Sequence, residues 1–67
     1  MRAKDHPAVK ELIRFFAYEH LPEKLKGVSQ PFGELADKVS EMESSAEVTV
    51  CLRKLLEAKD CAVRAAL

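Results

Sequence analysis

Tyr18, Lys24, Lys26 and Ser29 lie close together in the stretch Phe15–Phe32, FFAYEHLPEKLKGVSQPF. An aromatic ring near two ammonium groups and a hydroxyl is a set that suits a nucleotide. A ring can stack on a base, an interaction worth about 1–3 kcal/mol per base. Lysines beside the free N–H groups of a helix N-terminus can hold phosphate. Phe15 and Phe16 offer further stacking surface next to Tyr18. Each residue also has a plainer use, since surface lysines are usually solvated and Phe15 or Phe16 can be core. Taken alone, the set is a weak signal.

No catalytic arrangement competes with it. The chain has no Ser or Cys beside a general base, no paired carboxylates in a recognisable setting and no glycine-rich phosphate loop. An enzyme is not expected. His6 and His20 are fourteen positions apart, and neither has a Cys or His partner at ligand spacing, so no metal or other cofactor is expected.

Lysines and arginines balance acids at eleven each. Zero net charge argues against sequence-independent binding of a nucleic acid polymer, which needs a basic surface. A small phosphate ligand needs only a few placed cations. No apolar run approaches the ~20 residues of a membrane span, and no apolar segment of a signal peptide follows Met1-Arg2-Ala3-Lys4. A soluble, cytoplasmic protein is the expectation. Cys51 and Cys61 are ten apart in what reads as one helix, or roughly 15 Å along its axis. That exceeds the about 7 Å Cα separation a disulfide permits. Two free thiols fit a reducing cytosol, and both read as small buried or half-buried hydrophobes.

The elements that must position these residues read as all-α. Asp5-His6-Pro7 looks like a helix start, with Asp5 or His6 as cap and Pro7 in the first turn. Val9, Leu12, Ile13 and Phe16 recur at helical spacing and predict a first helix from about Pro7 to His20. Pro22 ends it and opens a short turn, Pro22–Lys26, which Gly27 closes as a C-terminal cap. Ser29 or Gln30 then caps a second helix with Pro31 in its first turn and Phe32, Leu35, Ala36, Val39 and Met42 as its apolar stripe. Ser44-Ser45-Ala46-Glu47 reads as a capping box ahead of a last helix from about Ser45 to Ala65 or Ala66. The whole is one domain, residues 1–67. It has an N-terminal helix, a structured elbow at residues 21–31 and a long C-terminal helix closing a helical hairpin.

The last helix is too apolar for a monomer. Val48, Cys51, Leu52, Leu55, Leu56, Ala58, Ala62, Val63 and Ala66 together span about 160° of its circumference, against the ~100° stripe that a surface helix needs. Chains of this size also bury only about 60% of their unfolded surface and commonly oligomerise. A compact homo-oligomer is expected. Lys59 falls inside the apolar arc, where it must snorkel, pair across an interface or face a bound anion. Arg53, Glu57, Asp60 and Arg64 share the other face, either as solvated ion pairs or with Arg64 turned to a ligand or an interface.

The segments HPAVKELIRFFAYEHLP, LKGVSQPFGELA and LRKLLEAKDCAVRAAL together resemble a family of phage and prophage hairpin-domain proteins. In that family are the anti-CBASS cyclic-oligonucleotide sponges and the related anti-Thoeris sponges. The likeness runs over residues 6–67, carried by the order and spacing of the "F-Y-HLP" run, "VSQPF" and "LLEAKD-AVRA". It implies small helical subunits in a compact hexamer, acting in the host bacterial cytoplasm. Such subunits bind cyclic dinucleotides such as cyclic GMP-AMP without cleaving them. Some members take cyclic trinucleotides at a second kind of site, or glycocyclic ADP-ribose. By position, Tyr18 resembles the base-stacking tyrosine, Lys26 the phosphate-contacting lysine and Ser29 a hydroxyl contact. Arg64 resembles an arginine lining the second site, with Lys59 and Asp60 its neighbours. The alternative is a helical protein–protein interaction module, such as a phage inhibitor of a host protein. A DNA-binding three-helix domain comes third, disfavoured by zero net charge.

Overall fold

The computed structural model describes all 67 residues. Its helices are α1 (Pro7–Arg14), α2 (Glu23–Ser40) and α3 (Ala46–Ala66), preceded by a 3-10 turn at Ala3–Asp5. No strand forms, and no helix is long and apolar enough to cross a membrane. The molecule measures 36 × 18 × 16 Å. α2 and α3 make the principal pairing, an antiparallel hairpin, and α1 packs across it.

Two helix starts fall where expected. His6 caps α1, its Nδ1 accepting the Ala8 N–H at 3.1 Å, with Pro7 next in line. Ser45 caps α3, its hydroxyl accepting the Val48 N–H at 3.2 Å; the expected capping box of Ser44 with Glu47 does not form, because the cap falls one residue later. In both, a side chain satisfies one of the N–H groups that a helix start leaves without a backbone partner.

The middle of the chain departs from expectation. α1 stops at Arg14, not His20. Past it the backbone tightens into three-residue bonds, with Phe15, Phe16 and Ala17 N–H donating to Leu12, Ile13 and Arg14 carbonyls at 3.1, 3.0 and 3.4 Å. That tightening turns Phe16 into the core at 3% exposure and leaves Phe15 59% exposed. The expected second break is absent altogether. Gly27 does not cap a turn and Pro31 does not open a helix; both lie inside α2, which starts after Pro22. Pro31 has no N–H for the Gly27 carbonyl, and its ring crowds that same carbonyl. The residue there is exposed and glycine, with open space where a Cβ would stand, so water can serve the carbonyl.

An interior glycine costs about 1 kcal/mol of helix propensity and a proline about 3 kcal/mol. Continuous packing offsets that. Ser29, Gly33, Ala36 and Ser40 are the buried residues of α2, spaced four, three and four apart. They form one seam of small side chains along which neighbouring segments approach closely. The apolar residues of the expected stripe flank this seam: Phe32 and Val39 are half-buried, whereas Leu35 and Met42 are 47% and 55% exposed.

The core comprises Ala3, Val9, Phe16, Ala36, Val48 and Leu52, with Leu12, Ile13, Leu55 and Leu56 packed against it. It sits toward the end of the hairpin that α1 covers. There the N-terminal segment also crosses the α2–α3 loop, with Ala3 N–H donating to Met42 O at 2.9 Å and Ser44 N–H to Met1 O at 2.8 Å. Lys4 and Arg2 both reach Glu41, at 2.8 and 2.9 Å. The Lys4 hydrogen bond, reinforced by both charges, holds the Glu41 carboxyl below its ordinary 4.5.

The two glycines of α2 should respond oppositely to alanine. Gly27→Ala meets nothing and should gain about 0.5–1 kcal/mol, or about 2–8 °C of thermal midpoint in a domain of this size. At Gly33 a Cβ would stand 3.0 Å from two Tyr18 ring carbons and 3.1 Å from the Phe16 carbonyl oxygen. Gly33→Ala should therefore lower the midpoint; an equal rise for both would show that Tyr18 moves aside freely.

Candidate functional site

The elbow is short and tightly held. Glu19 turns its carboxylate back to accept the Tyr18 N–H at 3.1 Å, and Leu21 N–H donates to the Tyr18 carbonyl at 3.1 Å. Pro22 then sets the first turn of α2, its carbonyl accepting Lys26 N–H at 2.8 Å. This geometry lays the Tyr18 ring against Gly33, where a Cβ would crowd it at 3.0 Å. Beside the ring lies a cavity of about 220 Å³. Ile13, Phe16 and Ala17 form its apolar wall, and the carboxylates of Glu19 and Asp37 stand at its polar side.

Electrostatics keep the site acidic. Loss of solvent, then the charges of Glu19, Glu34 and Asp37, push the Tyr18 phenol above its ordinary 10.0, so it remains a neutral donor. Glu19 is held below 4.5, first by its own and the Tyr18 backbone N–H, with Lys26 and His20 adding attraction against the cost of partial burial. Lys26 thus acts on Glu19 by charge, with no ion pair between them.

Lys24 and Lys26 do stand at a helix N-terminus, but it is the start of α2 at Glu23 rather than one at Ser29 or Gln30. Lys24 is exposed and Lys26 half-buried. Ser29 is fully buried in α2, its hydroxyl without a hydrogen-bond partner. Gln30 donates to Glu34 at 3.2 Å. Phe15 points to solvent and takes no part in the Tyr18 cavity. Within one chain, therefore, Tyr18 lies in the elbow, Lys26 stands in α2 outside the Tyr18 cavity, and Ser29 is turned inward.

The second group lies on α3. Lys59, within the apolar arc as read from sequence, is only 13% exposed and pairs with Asp60 at 2.8 Å. Arg64 is exposed and donates to Cys61 Sγ at 3.4 Å. No ion pair forms among Arg53, Glu57, Asp60 and Arg64; Asp60 pairs with Lys59 instead. Cys51 and Cys61 are both exposed, not buried or half-buried. The cavity residues Gly33 and Asp37 were not singled out in the sequence. Gly33 had a signal in the four-three-four spacing of Ser29, Gly33, Ala36 and Ser40, a run of small residues that an apolar count passes over; Asp37 had none.

Comparison with family models, with curated proteins and with solved structures finds no match for the chain.

Ser29→Ala separates a packing role from a ligand contact. A buried hydroxyl without a partner costs about 1–3 kcal/mol, so its removal should leave thermal stability unchanged or raised. Unchanged ligand affinity in the same variant would assign Ser29 to packing alone, and a loss of affinity would restore it as a contact.

Proposed function

We propose that the protein is a non-enzymatic sponge for cyclic oligonucleotides, a homo-oligomer, hexameric in the arrangement its sequence resemblance implies. It binds cyclic dinucleotides such as cyclic GMP-AMP, and cyclic trinucleotides at a second site around Arg64, Lys59 and Asp60. It withholds them from CBASS effectors in the host bacterial cytoplasm without cleaving them.

One observation supports this reading above the others. From Leu55 to Ala66 no side chain of α3 is fully buried, although Leu55, Leu56, Ala62, Val63 and Ala66 are apolar and half-covered. α1 is only eight residues long and covers the other end of the hairpin. The uncovered end is also where α2 begins, with Lys26 in its first turns, while Tyr18 lies further along α2, against Gly33. A second copy covering this end would bring a second Lys26 to the same place. A two-fold interface presents each residue twice, which suits a ligand with two bases and two phosphates. A protein–protein interaction module shares the uncovered end, and ligand binding separates the two readings.

Native mass measurement should give a multiple of the 7.5 kDa chain, with a hexamer as the expected species. Calorimetry against cyclic GMP-AMP, a cyclic trinucleotide and glycocyclic ADP-ribose should show tight binding to at least one, with the ligand recovered intact after heat denaturation. A monomer that binds none of them sinks the sponge reading. Tyr18→Ala should weaken dinucleotide binding about ten-fold or more, the worth of a stacked base, while the oligomer stays intact. Arg64→Ala should weaken the trinucleotide alone; if it instead splits the oligomer, Arg64 is an interface residue.

A further inference from the structure

The cavity beside Tyr18 is sized for one functional group rather than a whole small molecule. Its volume of about 220 Å³ falls below the roughly 300–1,000 Å³ that encloses a drug-sized ligand. One side is apolar, formed by Ile13, Phe16, Ala17 and the Tyr18 ring. The other carries the Glu19 and Asp37 carboxylates, and no lysine, arginine or histidine lines it. Phosphate is repelled from such a place, and a cation is drawn to it.

The acceptors on the polar side are open. The Asp37 carboxylate carries neither an ion pair nor a hydrogen bond; only its backbone carbonyl is engaged, by Ser40 Oγ at 2.6 Å. Glu19 uses one oxygen on the Tyr18 N–H at 3.1 Å, leaving the other. Both carboxylates, with Glu34, act on the Tyr18 phenol by charge, so they stand within electrostatic reach of the ring. The protein's own cations do not close the site. Lys26 and His20 act on Glu19 by charge without pairing. Lys4 and Lys10 stand in the adjoining cavity, which shares Ile13 and Asp37, and there Lys4 is tied to Glu41.

We propose that this cavity binds a guanidinium group, its face on the Tyr18 ring and its edge donating to Asp37, with Glu19 as a second negative charge. A cation over an aromatic face is attracted by the ring's quadrupole. An ionised carboxylate only accepts hydrogen bonds, so the ligand has to donate them. A guanidinium is planar and weakly hydrated, stacks on aromatic rings and meets a carboxylate with two parallel N–H groups. An alkylammonium is a compact, strongly hydrated point charge, less suited to the apolar wall. A quaternary ammonium would stack but donate nothing. The group comes from an arginine side chain of a partner or from a small free guanidine. This inference stands apart from the sponge reading, since it needs neither a nucleotide nor a second copy.

The chain has one tyrosine and no tryptophan, so its intrinsic emission reports Tyr18 alone. The test titrates the full chain with N-acetyl-arginine amide, N-acetyl-lysine amide and tetramethylammonium at matched ionic strength, with circular dichroism as the fold control. Emission should change saturably with the arginine compound, at a concentration about ten-fold or more below that for tetramethylammonium, which forms no charged hydrogen bond. The lysine compound should fall between them. Asp37→Asn should weaken the arginine compound by about ten-fold, whereas Glu57→Gln, at an exposed carboxylate of α3, should leave it unchanged. A peptide with one central arginine that binds more tightly than the capped residue assigns the site to a partner's side chain; equal affinity assigns it to a free guanidine. Equal binding of all three cations overturns the guanidinium assignment. Absence of saturation, or the same response from Asp37→Asn and Glu57→Gln, overturns the site. No arm contains a cyclic nucleotide, so either result leaves the sponge reading to its own test.

Discussion

The close approach of the elbow to α2 is the constraint on which the rest of this structure depends. Tyr18 lies this close to α2 because position 33 is glycine; a Cβ there would stand 3.0 Å from its ring. The turn that brings it there also buries Phe16, ends α1 at Arg14 and opens the cavity beside the ring. Gly33 is one member of a small-residue seam, and a helix carrying such a seam must run unbroken to present it. Protein interiors are close-packed, and a shape mismatch of a single methyl group is felt. The continuity of α2 through Gly27 and Pro31 follows from that requirement.

Seen this way, the site and the scaffold share residues. Phe16 is core and cavity wall together, and Gly33 is both seam and cavity floor. A small protein with six buried apolar side chains has few to spare for function alone. It spends its polar residues economically too. Glu19 holds the elbow by accepting the Tyr18 amide, and its charge sets the field that Lys26 meets.

Helix existence was legible from the sequence wherever a local signal agreed with packing. His6-Pro7 and Ser45 are caps that act within a few residues of themselves, and both starts lie where these residues place them. The wide apolar arc of α3 and the anomalous Lys59 were equally plain. Boundaries failed where tertiary contact overrode local preference. Pro22, Gly27 and Pro31 all read as punctuation, yet only Pro22 acts as such, because nothing in the local sequence announces that Gly33 must receive Tyr18. The aromatic run misled for the same reason: Phe15 and Phe16 are adjacent and chemically identical, and only the tightening turn decides which is buried. That Tyr18 and Asp37 line one cavity was not legible, since a lone carboxylate on a helix is ordinary until a cavity is found beside it.

The strap over the α2–α3 loop makes the molecule mechanically lopsided. At that end the N-terminal segment, the loop and α1 are bound together by backbone hydrogen bonds and by two cations on Glu41. At the far end two helices lie side by side without a third layer. A rod clamped at one end swings most at the other, and local opening is easiest where buried apolar contact is least. Opening of the hairpin should therefore begin at the end of α3, the part farthest from the clamp at residues 41–45.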